Sequence, residues 1–266
     1  MNTNKIEDDK YYTDKKVVKI CMDYFNKCID KNSVVEFLEP SAGSGNFLDF
    51  LNKPFIALDI LPEREDILKA DYLKTSFKYK QGRCIIGNPP YGERLYLAQK
   101  FFKKAIHEGD YIGFILPISQ LNNSNSFYEF DLISSTDLGV QKYTDRQLHC
   151  CFNIYKRPEN LLNKKKKAKL KDVTILRQDS KRFKECKIYD IIICYWGNGS
   201  AGKIYQKEGT YSSEYKIIIN DKNKKEEIID LLNRYDWSKR LKTISALKIN
   251  QFHIVDLLKE KIKGIE

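Results

Sequence analysis

Apolar positions in the first 150 residues switch repeatedly between short continuous runs and helical spacing, the signature of a parallel sheet covered by helices. Residues 13–30 place Val17, Ile20, Cys21, Tyr24, Phe25 and Cys28 three or four apart, which predicts a helix with one packing face. Buried strands are predicted over 34–38, 55–60, 83–87, 111–118 and 148–155, with a weaker one over 67–73. Phe47, Leu48 and Leu51 suggest a helix after the first strand, and Leu95, Ala98, Phe101, Phe102, Ala105 and Ile106 mark another after the fourth. Beyond residue 172 the pattern is shorter: strands over 173–176, 189–196 and 215–219, a glycine-rich turn over 197–202, and helices over 224–235 and 250–263. The expected architecture is therefore α/β with a mostly parallel sheet in residues 1–158, a linker over 159–172, and a small α+β region over 173–266.

Composition narrows the class. A chain of 266 residues is long enough for one large core or a domain with an appendage. No apolar run approaches the ~18 residues of a membrane span, and the N-terminal stretch lacks a secretory apolar region, so a cytosolic protein without membrane contact is expected. The seven cysteines form no Cys-x-x-Cys pair, which points to reduced thiols and no metal site. Net charge is +11, and residues 157–187 hold twelve basic and four acidic side chains. Lys164, Lys165, Lys166, Lys167 and Lys169 repel one another and read as an exposed loop whose field favours a polyanion.

The candidate chemistry lies at the ends of the predicted strands. Gly43 and Gly45, in the turn Ser41-Ala42-Gly43-Ser44-Gly45, permit a ligand to approach backbone amides. Asp59 closes the next strand, where a carboxylate can accept from ribose hydroxyls, and Asp71 follows the third. Asn88-Pro89-Pro90-Tyr91 follows the fourth: two prolines stiffen the loop and remove two donors, leaving the Asn88 side chain and the Pro89 carbonyl as acceptors for an amine, with the Tyr91 ring as a stacking face.

At these residues the chain resembles the S-adenosylmethionine-dependent amino-methyltransferases, in particular the N6-adenine DNA methyltransferases. Glu39-Pro40-Ser41-Ala42-Gly43-Ser44-Gly45-Asn46-Phe47 is similar to their cofactor motif, Asn88-Pro89-Pro90-Tyr91 to their catalytic motif, and Tyr11-Tyr12-Thr13 to the upstream segment that closes over the methionine part of the cofactor. Asp14 stands where the family usually has proline. The motif order is that of the gamma group, with target recognition placed C-terminally. The resemblance implies a Rossmann-like methyltransferase fold with a seven-stranded sheet and S-adenosyl-L-methionine as cofactor. It implies that Tyr12, Thr13, Glu39, Ser41, Ala42 and Gly43 surround the methionine end, that Asp59 takes the ribose and Asp71 the adenine amine with Tyr72 beside the ring, and that Asn88, Pro89, Pro90 and Tyr91 form the catalytic loop. Ile115-Leu116-Pro117-Ile118-Ser119 is similar to the family's fifth-strand segment, and Tyr143 and Phe152 are candidates for the second aromatic against a flipped base.

The amine and its polymer are less constrained. The motif forms favour adenine in DNA. RNA adenine-N6 or guanine-N2 methyltransferases share the catalytic residues, and phosphate contacts do not separate the two polymers. A nucleic-acid-binding module that has lost catalysis is the alternative from a different class. Lys164 to Lys171 with Tyr195, Trp196 and Arg234 are the expected contact residues, and a partner subunit or a second copy is compatible with the short C-terminal region.

Overall fold

The computed structural model describes residues 13–143, 147–165, 169–197, 199–241 and 247–266. Tyr12, Lys166 and Lys167 lie outside them. The chain divides into two compact units, residues 1–165 and 166–266, and the division falls inside the expected linker.

The first unit is the expected Rossmann-like α/β architecture, built on seven strands. They are β1 (Glu36–Glu39), β2 (Phe55–Asp59), β3 (Leu68–Lys69), β4 (Arg83–Gly87), β5 (Tyr111–Pro117), β6 (Asp131–Lys142) and β7 (Gln147–Lys156). Their order is β3-β2-β1-β4-β5-β7-β6. β1 to β5 run parallel, whereas β7 pairs antiparallel with β5 and β6. Alternation within the buried runs sends neighbouring residues to opposite layers. Phe37, Cys84, Ile86 and Ile115 pack with the helix α1 (Lys15–Cys28); Leu38, Ile85, Phe114 and Leu116 pack with α2 (Tyr96–Ala105). Helices thus cover both faces of the sheet.

Three sequence expectations change, and one strand is added. The packing face of α1 is Val17, Val18, Cys21, Met22 and Phe25, and Ile20, Tyr24 and Cys28 are exposed, because the buried stripe runs from Val18 through Cys21, Met22 and Phe25 to Ile29. No α-helix follows the glycine turn; a single 3-10 turn, Leu48–Phe50, buries Leu48 there. The third strand shrinks to two residues. β6, twelve residues of half-polar sequence without an apolar run, is an edge strand that the pattern did not announce.

The second unit is the expected α+β region. Its antiparallel sheet has the order β10-β9-β11-β8, from β8 (Val173–Arg177), β9 (Ile191–Cys194), β10 (Ile204–Tyr205) and β11 (Glu214–Ile219). Ile191, Ile193, Ile217 and Ile219 form one core with Ile228 and Leu232 of α4 (Lys225–Arg234), Trp237 of α5 (Trp237–Arg240) and Ile254, Leu257 and Leu258 of α6 (Gln251–Lys261). The short α3 (Lys181–Glu185) begins at the capping Ser180. Lys216 is fully buried; its ammonium donates to the carbonyls of Phe183 and Cys186 and pairs with Glu208 at 2.7 Å. Among the described residues no helix is long and apolar enough to cross a membrane.

Candidate active site

β2, β1 and β4 are neighbours and parallel, so their C-terminal ends bring Glu39, Asp59 and Asn88 to one edge of the sheet. The strand order reverses between β1 and β4, where open α/β sheets bind their ligands. Gly87, at φ 152°, lies against the Glu39 side chain: a Cβ there would stand 3.3 Å from Glu39 Cγ. The glycine therefore makes room for the carboxylate across the end of β4.

Glu39 is 2 % exposed, and its Oε2 has no hydrogen-bond partner among the described residues. Burial pushes its carboxyl well above the usual range, the nearby Asp59 carboxylate pushes it further, and Arg64 opposes them. A buried acceptor without a donor is costly, and a cationic or N–H-bearing ligand would relieve it. Asp59 holds the glycine turn: its Oδ2 accepts from the Gly43 amide at 2.7 Å and its Oδ1 from the Leu61 amide at 2.8 Å. Each oxygen keeps a lone pair for a further donor.

The two glycines serve different ends. A Cβ on Gly43 would meet nothing within 4 Å, whereas one on Gly45 would stand 2.6 Å from Arg64 Cδ. Gly43 faces open space; Gly45 is the bed of Arg64, whose guanidinium donates to the Gly45 carbonyl and pairs with Asp49 and Asp66. The Gly43 and Gly45 amides are taken by Asp59 and by the Ala42 carbonyl. Ala42 is buried beneath the turn, its amide on the Leu58 carbonyl.

Asn88 is fixed at both ends. Its main-chain carbonyl accepts from the Ser41 hydroxyl at 3.2 Å, and its Nδ2 donates to the Thr13 hydroxyl at 3.2 Å. Its Oδ1 is buried and has no partner among the described residues. Pro89 is buried and Pro90 half-buried. Tyr91 is 7 % exposed in the α2-side core, with its hydroxyl 3.8 Å from Cys150 Sγ. The Tyr143 hydroxyl is 3.7 Å from the same sulfur. Of the two aromatic candidates, Tyr143 thus meets the same thiol as Tyr91, while Phe152 is buried in the α1-side core. Burial pushes the hydroxyls of Tyr91 and Tyr143 and the Cys150 thiol up, and all three stay protonated at neutral pH.

Asp71 caps its own turn, accepting from the Leu73 amide at 2.9 Å, and Lys74 lies 3.4 Å away. Tyr72 is a core residue whose hydroxyl donates to buried Glu108 at 2.6 Å. Asn46, which the sequence singled out only as part of a motif, donates from Nδ2 to the Thr13 carbonyl at 2.8 Å. Asp14 takes the N-cap of α1, accepting from the Lys16 amide, which accounts for an acidic residue in place of proline. Lys164, Lys165 and Lys169 are exposed; Trp196 is half exposed and bridges Lys248. Tyr195 stacks on Tyr215 beneath the Arg177 guanidinium, and Arg234 pairs with Asp230.

No family model and no curated protein matches the sequence. Among solved structures, the chain is similar to a protein of Pyrococcus horikoshii described as a candidate RNA methyltransferase (TM-score 0.42, 16 % identity, covering 56 % of this chain and 86 % of that one). It is also similar to a candidate class I S-adenosylmethionine-dependent methyltransferase of Listeria monocytogenes (0.42, 14 %, 62 % and 65 %) and to the 23S rRNA methyltransferase ErmE (0.39, 12 %, 58 % and 72 %). A likeness of this degree carries no weight for activity.

Proposed function

We propose that this chain is an S-adenosylmethionine-dependent methyltransferase that modifies the N6 amine of adenine in DNA. The observation that carries the reading is the pair of orphaned acceptors at one sheet edge, Asn88 Oδ1 and Glu39 Oε2. One suits the hydrogens of an amine; the other suits an ammonium.

The donor set fits the cofactor. Glu39 would hold its methionine ammonium, Asp59 would accept from its ribose hydroxyls, and the open space beside Gly43 admits its body. Asp71 and Tyr72 keep their proposed place at the adenine end, and Tyr12 and Thr13 theirs at the methionine end. When bound, the cofactor supplies a methyl group on a positively charged sulfur.

The protein's part is positional. Asn88 Oδ1 and the Pro89 carbonyl would accept the two hydrogens of the target amine, which turns the nitrogen lone pair toward the neighbouring site and disperses the positive charge that develops on nitrogen. The Ser41 bond keeps the Asn88 backbone in register with the glycine turn. Tyr91 and Tyr143 would wall the base. Adenine reaches this loop only by leaving the stack, at a few kcal/mol that base contacts and phosphate contacts from exposed lysines offset.

The test is transfer of a labelled methyl group to duplex DNA, single-stranded DNA and RNA, followed by nucleoside digestion. N6-methyldeoxyadenosine is the expected product. Label on RNA adenine or guanine would replace the polymer in this reading, and absence of cofactor binding would leave a nucleic-acid-binding module.

A further inference from the structure

Thr13 makes two contacts that holding a cofactor does not require. Its carbonyl accepts from Asn46 Nδ2 in the glycine turn at 2.8 Å, and its hydroxyl accepts from Asn88 Nδ2 at 3.2 Å. Thr13 is 8 % exposed, so both bonds are shielded from water. The amide nitrogen of Asn88 is thus engaged, and the atom left without a partner is the buried Oδ1. The distinction is chemical. An amide turned by 180° about its last torsion keeps the same shape but presents two N–H donors, which cannot accept an amine's hydrogens. Nothing in the Asn88-Pro89-Pro90-Tyr91 loop itself holds the amide in the orientation observed; the contact that does so is the bond from Nδ2 to the Thr13 hydroxyl, ahead of α1.

We propose that Thr13 is a positioning residue: its hydroxyl anchors the Asn88 side chain through Nδ2, which leaves Oδ1 for the incoming amine, and its carbonyl ties that anchor to the glycine turn through Asn46. The role rests on the amine-methylating reading above and deepens it. The segment ahead of α1 then acts on the chemical step, where a cofactor lid would act on affinity alone.

The experiment uses the full chain with Thr13→Val, which keeps the β-branched shape and removes the hydroxyl, and Thr13→Ser, which keeps the hydroxyl. Cofactor Kd is measured by calorimetry, and kcat at saturating cofactor and DNA. In protein labelled with 15N-asparagine, exchange of the Asn88 side-chain amide protons is followed, assigned with Asn88→Asp. Loss of one hydrogen bond that acts in the chemical step is expected to lower kcat of Thr13→Val about tenfold at saturating cofactor, beyond any change in cofactor Kd. Thr13→Ser should restore most of the rate, and amide exchange should be fast only in Thr13→Val. An unchanged kcat, or a loss confined to cofactor affinity, overturns the role. Should the parent methylate no polymer, the proposed function fails separately, and the exchange measurement still decides: equal protection in parent and Thr13→Val sinks the proposal.

Discussion

Glu39 is a carboxylate enclosed by its own fold, and its behaviour with pH follows from that. Burial favours the neutral form, so the folded pKa lies above the unfolded one. The stability tied to this group is fully present below the ordinary carboxylate value and is lost as pH rises through the raised pKa. A cation placed on Oε2 reverses the preference, because it binds only the ionised form. Binding of S-adenosylmethionine should therefore release a proton and tighten as pH climbs above the ordinary carboxylate range. Calorimetry in two buffers of different ionisation enthalpy measures the release, and Glu39→Gln should abolish it. Substitutions elsewhere divide by role. Asn88→Ala should lower methyl transfer by about a hundredfold or more, the scale of removing a hydrogen bond to developing charge, with cofactor affinity preserved. Asp59→Ala should weaken the cofactor instead, and a Kd equal to the parent's would remove Asp59 from the ribose.

Local elements show the same separation between shape and ligand. Gly43 and Gly45 both have positive φ, 52° and 77°, so alanine strains either by about 1–2 kcal/mol. Only at Gly45 does the added methyl also strike Arg64, and through it the Asp49 pair that reaches Lys15 at the start of α1. Gly45→Ala should lower the melting temperature more than Gly43→Ala, while Gly43→Ala should show its larger effect in cofactor affinity. In the second unit, α6 is capped reciprocally: the Asn250 main-chain N–H donates to His253 Nδ1 at 3.1 Å, which requires an unprotonated imidazole. Burial, aided by Arg240, pulls that imidazole down to about 4. Its stabilising contribution is present above the unfolded value near 6.5 and is lost as pH falls through about 4. The difference corresponds to roughly 3 kcal/mol. His253→Gln should flatten the acid limb of a denaturation-versus-pH curve over that interval.

For the molecule as a whole, each unit closes its own core, and the net charge of +11 is concentrated around the junction in sequence between them. Polyanion affinity should therefore fall with salt, on a log–log slope of about −0.9 per neutralised phosphate. Replacing Lys164, Lys165 and Lys169 by Glu should make the slope shallower by roughly that amount for each phosphate no longer neutralised. An unchanged slope in filter binding against duplex DNA would mark these lysines as plain solvated surface.

Continuous apolar runs ending in chemically specific loops were decipherable from the chain alone. β4 occupies the residues that its apolar run predicted, and the prolines after it announced acceptors because they lack donors. The ends of β1 and β2 were likewise placed by their carboxylates. What one-dimensional order could not determine is which neighbours satisfy a polar atom. That Arg64 fills the space above Gly45, that Asp59 rather than a ligand takes the Gly43 amide, and that the Asn88 amide is held by a threonine seventy-five positions away all depend on contacts between distant segments. The rotation of α1 and the long edge strand β6 were hidden for a related reason: α1 carries apolar residues beyond its buried stripe, β6 has no apolar run, and in both the packing partner decides. The sequence determined the residue types at the ends of the parallel strands and hence the chemistry available there. The tertiary structure decided which of those atoms remain unpaired and buried, because an unsatisfied acceptor is a property of everything around it.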